Sequence, residues 1–148
     1  MKRLIFSILT LLMINCTFGQ STDVTYKVTN YSINGVNYDN LALEGDVSLS
    51  FYKCNDNSLC FTNHWRNNHS QSYGGVYSLK TREIPETSTT YPAMELVFTW
   101  HYFNTYDSKS GNAAVTITNI FIGNTVKFTA EIIVLDTNEV LTFKGYLE

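Results

Sequence analysis

Over the last third of the chain, apolar and polar residues change places at almost every step. Val115, Ile117 and Phe121 share one parity with Asn119, while Thr116, Thr118 and Ile120 share the other. The period returns in Val126, Phe128, Ala130, Ile132 and Val134, interleaved with Lys127, Thr129 and Glu131. A period of two marks a β-strand with one buried face. Gly123-Asn124 between the runs suits a two-residue hairpin turn. That turn pairs Phe121 with Val126, Asn119 with Phe128, Ile117 with Ala130 and Val115 with Ile132. One face is then almost wholly apolar, and a slip of one residue would mix the two faces.

The following segment extends the pattern. A turn centred on Thr137-Asn138 pairs Val134 with Leu141, Ile132 with Phe143, Ala130 with Gly145 and Phe128 with Leu147. Glu131 then stands opposite Lys144, a favourable cross-strand pair. A two-residue turn would set Asp136 against Glu139, so a four-residue loop holding the same register is expected.

Upstream, Val, Ile, Thr, Tyr and Phe gather in runs bounded by Asn, Asp, Gly and Ser, with no apolar spacing of 3.6 residues. Strands are expected near 23–33, 36–44, 46–54, 59–66, 73–80, 93–103, 113–122, 125–135 and 139–147. The second and third read equally well as one strand bent at Gly45, which makes eight or nine strands. Asn34-Gly35 predicts a hairpin pairing Val28 with Leu41 and Tyr26 with Leu43. Setting Cys54 opposite Cys60 puts Leu49 beside Trp65 and Phe51 beside Asn63. The cysteines, Tyr52, Thr62 and His64 then occupy the other face. Thr81–Pro92 is polar and Thr-rich, with room for a crossover. The expected class is an all-β antiparallel meander closing into a small up-and-down barrel, with a two-sheet β-sandwich as the alternative.

The first residues are of another kind. Met1-Lys2-Arg3 is basic, Leu4 to Ile14 is apolar apart from Ser7 and Thr10, and Thr17-Phe18-Gly19 has the small residues of a cleavage site. This is the anatomy of a secretory signal peptide spanning 1–19, which leaves a single domain over 20–148. A rival reading makes Cys16 a lipid-attachment site, although Met13-Ile14-Asn15 matches a lipoprotein leader poorly. Both routes lead to the periplasm or the exterior, and neither supplies a transmembrane helix; membrane association is expected only through a lipid on Cys16. Cys54 and Cys60 remain, and in an oxidising compartment they are expected to form a disulfide. Their spacing does not fit a Cys-x-x-Cys redox pair.

Composition narrows the partners. The chain has 148 residues, 44% hydrophobic and 14% aromatic, with 10 basic against 13 acidic side chains. Losing Lys2 and Arg3 with the leader leaves 8 basic residues and a net charge of −5. Such a surface gives nucleic acid no electrostatic foothold.

Candidate chemistry is sparse. His64, His69 and His101 lack the spacing of a metal site. The pairs Glu44/Asp46 and Glu83/Glu86 look solvated, whereas acid–base work needs carboxyls in contrasting environments. Asp107-Ser-Lys-Ser-Gly-Asn lacks calcium-loop spacing. No nucleophile-elbow, zincin or phosphate-loop motif occurs in the mature chain. Tyr73-Gly74-Gly75 reads as a bulge or turn. Asn30-Tyr-Ser and Asn68-His-Ser fit the glycosylation sequon, which matters only in a eukaryotic secretory route. No enzyme activity and no cofactor are expected.

Aromatic residues offer more. Trp65, Phe98, Trp100, Tyr102, Phe103 and Tyr106 cluster near two strand ends. In a closed barrel, Trp65, Phe98 and Trp100 would line a cavity mouth, with Asn63 and Asn119 as its orienting polar groups. An exported antiparallel barrel of this size resembles the lipocalin family (the calycin architecture), although the Gly-x-Trp signature of that family is missing from the first strand. The resemblance is one of architecture alone and implies nothing about function; the expected function is a small exported domain that binds a partner or, where the barrel holds a cavity, a small apolar ligand, without chemistry. Two other readings are a sandwich that stacks glycans on exposed Trp65, Trp100 or Tyr106, like a carbohydrate-binding module, and a structural or inhibitory cell-envelope protein.

Overall fold

The computed structural model describes residues 24–148; the leader, its cleavage site and Cys16 lie outside the described residues. Strands β1 (Val24–Ile33) and β2 (Val36–Asn37) precede a short helix α1 (Asp39–Gly45). Then come β3 (Val47–Lys53), β4 (Leu59–Trp65), a 3-10 turn (Arg66–Asn68), β5 (Ser70–Ile84) and β6 (Ala93–Asn104). Strands β7 (Lys109–Ile122), β8 (Thr125–Val134) and β9 (Glu139–Leu147) complete the chain. They form one antiparallel sheet in the order β2-β1-β3-β4-β5-β6-β7-β8-β9, and β1 also pairs with β9. The sheet thus closes on itself as an eight-stranded up-and-down barrel, with β2 as an extra strand. A single closed sheet replaces the two-sheet sandwich.

The β7–β8 hairpin has the expected register: Phe121 faces Val126, Asn119 faces Phe128, Ile117 faces Ala130 and Val115 faces Ile132. In β8–β9 the four-residue loop is present but centred one residue earlier. Val134 pairs with Glu139, Ile132 with Leu141, Ala130 with Phe143 and Phe128 with Gly145. Lys144 therefore faces Thr129, and Glu131 faces Thr142. Asn138 takes the left-handed conformation that ends this loop (φ 57°). A two-residue displacement conserves face parity, so the inward residues are unchanged.

The β3–β4 hairpin departs from expectation in the same manner. Leu49 faces Asn63, Phe51 faces Phe61 and Tyr52 faces Cys60, because the loop closes with Cys54 N–H donating to the Ser58 carbonyl at 2.9 Å. Asn57 (φ 68°) supplies the left-handed corner, and Asp56 accepts from the Ser58 amide and hydroxyl. Cys54 and Cys60 are bonded across it, their Cα atoms 5.5 Å apart.

Two expectations need correcting more deeply. Residues 36–44 do not form a strand against β1. Asn34-Gly35 turns the chain (φ 49° and 81°), but β2 ends at Asn37 and α1 follows. Tyr26 pairs with Leu49, not Leu43, and Val28 has no partner in Leu41. Leu41 and Leu43 are 50% and 59% exposed, while Ala42 is buried. Asn-Leu-Ala-Leu-Glu is a run of adequate helix formers whose alternation imitated a strand. Asp39 anchors the helix start by accepting from the Tyr31 amide and the Asn30 and Asn37 side chains, which lower its carboxyl pKa below the ordinary value. The second correction is that Thr81–Ile84 belongs to β5, so the β5–β6 connection is a plain hairpin rather than a crossover. Gly74-Gly75 lies within β5; the bulge falls between Tyr77 and Lys80, where Ser78 has φ 55°. Gly74 is required where it stands, because a Cβ there would overlap the His101 carbonyl.

The inward faces fill the barrel. Tyr26, Phe51, Phe61, Phe121 and Phe128 are fully buried with Leu49, Met94, Leu96 and Ile117. Phe51, Phe61 and Phe98 pack with ring centroids 5.0–5.4 Å apart, and Tyr26 sits 4.8 Å from Phe128. One end of the barrel carries the disulfide-linked loop, the β5–β6 and β7–β8 turns and the C-terminus. The other carries α1, the 3-10 turn and the β6–β7 and β8–β9 loops.

Candidate functional site

At this second end the barrel is covered over only half its width. Helix α1 lies against β1, with Gly45 close against the Trp65 ring and Trp65 edge-on to Tyr31 at 5.4 Å. Tyr31 stacks in turn on Phe143 at 4.7 Å. Burial pushes the Tyr31 phenol up to about 12, with the charge of Glu139 adding to the rise. Beside this covered half, the inward positions of β4, β6, β8 and β9 line a cup of about 360 Å³.

The cup is apolar within and polar at its rim. Trp100, Ile132, Val134 and Leu141 form its inner wall. Trp100 is held in place by donating its indole N–H to the Phe61 carbonyl at 3.1 Å, and its ring lies 5.0 Å from that of Tyr102. Asn63 enters from β4, 8% exposed, and its Oδ1 has no hydrogen-bond partner among the described residues. A buried acceptor left unpaired costs on the order of 1–3 kcal/mol, so a donor arriving from outside would be bound favourably.

Asp107, Asp136 and Glu139 stand at the rim, with Lys109 the cation among the lining residues. Lys109 Nζ is 3.9 Å from Asp107, whereas Asp136 and Glu139 have no ion-pair partner among the described residues. The half-buried Tyr102 registers their field: burial raises its pKa, and the charges of Asp136, Asp107 and Glu139 raise it further.

Of the five residues expected to line a mouth, the structure brings Asn63 and Trp100 together. Phe98 is buried among Phe51 and Phe61 and belongs to the packed interior. Trp65 lies under α1 on the covered half. Asn119 is fully buried near the opposite end, beside Tyr26. Its amide and the Tyr26 hydroxyl are sealed in together with no well-formed hydrogen bond; burial drives the Tyr26 phenol above its ordinary range, and the nearby Asn119 side chain offsets part of that rise.

Tyr102 was read as one of an aromatic cluster and Ile132, Val134 and Leu141 as paired inward positions, but none of them, nor the rim carboxylates, was assigned to the mouth. Their signal was parity: each strand residue among them continues an inward series toward the same end. The histidines do not converge. His64 faces outward, His69 holds a left-handed turn (φ 51°) and His101 lies 4.3 Å from the Tyr77 ring on the surface. Among the described residues no group of His, Cys, Asp and Glu gathers as a metal site, and no helix is long and apolar enough to cross a membrane.

The fold and site define a closed antiparallel barrel with one packed end and one cupped end. No protein family, curated protein or solved structure matches the chain.

Proposed function

We propose that this chain is a small exported binding domain that holds an organic molecule, apolar in its body, in the cup without chemical conversion. The observation that carries the reading is Asn63: a buried acceptor with no partner among the described residues, set in the lining of a cup whose wall includes Trp100, Ile132 and Leu141. The volume lies within the range of small-ligand sites, and the lining joins an apolar wall of Trp100, Ile132, Val134 and Leu141 to a larger set of polar and charged residues. Export rests on the leader sequence and agrees with the Cys54–Cys60 bond. The glycan-stacking reading has weaker support, because its rings share no exposed face: Trp100 points inward, Trp65 lies under α1 and only Tyr106 stands free, 85% exposed.

The test is titration with a neutral naphthalene-type probe, read by the tryptophan emission of the wild-type protein and of a Trp65→Phe variant in which Trp100 is the remaining tryptophan. Binding should quench or shift the emission saturably, and Leu141→Arg should abolish it while leaving thermal unfolding cooperative. If the folded wild-type protein binds neither this probe nor a charged analogue of it saturably, the proposal is overturned.

A further inference from the structure

The cup specifies more than apolarity. Its rim carries three carboxylates against a single lysine, and that lysine is already within reach of Asp107. Asp136 in the β8–β9 loop and Glu139 at the start of β9 carry no cation partner among the described residues, next to the strand ends that supply Val134 (β8) and Leu141 (β9) to the wall. Inside, Asn63 Oδ1 calls for a hydrogen-bond donor. Carboxylates and a lone carbonyl oxygen are both acceptors, so a donor-rich ligand satisfies every unpaired group at once. An anionic guest would meet repulsion at the rim, and a neutral hydrocarbon would leave Asn63 unpaired. Tyr102 and Trp100 add aromatic surface against which a cation is attracted.

Resting on the reading of the cup as a ligand site, we infer that its ligand is a small organic cation: an apolar or aromatic body bearing an ammonium or guanidinium group. The body lies against Trp100, Ile132 and Leu141. The charged head is held at the rim by Asp136 and Glu139.

Three probes of one shape decide the matter: naphthylmethylammonium, naphthylmethanol and naphthoate, titrated calorimetrically against the full chain. The ammonium should bind roughly tenfold tighter than the alcohol, and the carboxylate weakest, because partly exposed ion pairs sum to about that factor. Raising the salt to about 1 M should shrink the preference toward unity, since the Debye length falls to about 3 Å. The double variant D136N/E139Q should lose the preference while still binding the alcohol. If the alcohol binds as tightly as the ammonium, or the carboxylate binds best, the charge assignment fails and the cup reading stands. If none of the three binds, both fail. The salt series needs no variant, so a misfolded double mutant cannot hide the answer.

Discussion

The two ends of the barrel are built from the same alternation and put it to different uses. At the disulfide end, inward positions carry Phe51, Phe121, Phe128 and Met94, which meet across the axis and leave the interior solid. At the other end, the inward series on β6 runs on from Trp100 through Tyr102 to Asn104, and that on β9 ends in Glu139. Their side chains line a space instead of filling it. The inward direction is common to both ends; side-chain size and polarity decide whether it yields core or cavity. Stability and recognition are therefore separable along the barrel axis.

The sharpest way to break this comparison is a matched pair of truncations. Phe128→Ala in the packed end should cost about 3–5 kcal/mol, the usual toll of a cavity in a close-packed core. Leu141→Ala at the cup should cost about 1–2 kcal/mol, because its side chain is already partly uncovered. Urea unfolding measures both, and equal losses would mean the two ends are packed alike. Next in size is the disulfide. Reducing Cys54–Cys60 should lower stability by about 2 kcal/mol, as loop-closure entropy predicts for so short a loop, without changing probe binding at the far end. An altered affinity would show that the ends are coupled.

Tyr26→Phe probes the polar atoms sealed into the packed end. Removing the hydroxyl deletes a buried polar atom but also withdraws the polar group nearest Asn119, so stability should change by less than about 1 kcal/mol. The alkaline limb tests the same burial by another route. The folded-state pKa values of Tyr26 and Tyr31 lie above their unfolded values. Their contribution is thus complete below about pH 10 and is lost as the pH rises past it. For Tyr31 that loss continues through about 12, and Tyr31→Phe should flatten the decline seen by circular dichroism. The smallest effect belongs to the rim. Asp136→Asn should move the unfolding midpoint by less than about 0.5 kcal/mol, as expected for an exposed loop residue, while weakening ammonium binding.

The inward residues of β7, β8 and β9 were legible because a period of two survives displacement by two. Parity located Phe128, Ile132 and Phe143 even though the β8–β9 loop sits one residue earlier than expected. Asn63 was read as inward from the same parity, whereas Trp100 was singled out with the aromatic cluster. Helix α1 was not legible, because Leu41 and Leu43 alternate as a strand would, and only their exposure reveals that no partner strand receives them. The covered half of the cupped end depends on that helix, so Trp65 was placed in a mouth that α1 in fact roofs. Asp107 and Asp136 belong to loops, whose convergence on one opening follows from closure of the whole sheet and leaves no local mark.

Closure itself has a consequence for how the molecule assembles. The barrel is completed by β1 against β9, with Tyr26 beside Leu147 and the Glu148 amide donating to the Thr25 carbonyl. The first described strand must therefore wait for the last to be synthesised before its second edge is satisfied. Pairings so distant in sequence are slow to form, because the chain loses its loop entropy before any contact repays it. Until then, one flank of β1 and one of β8 stand as open edges able to recruit a neighbouring chain. A terminal truncation reaching β9 would leave those edges permanently open, converting a self-closing sheet into a template for aggregation.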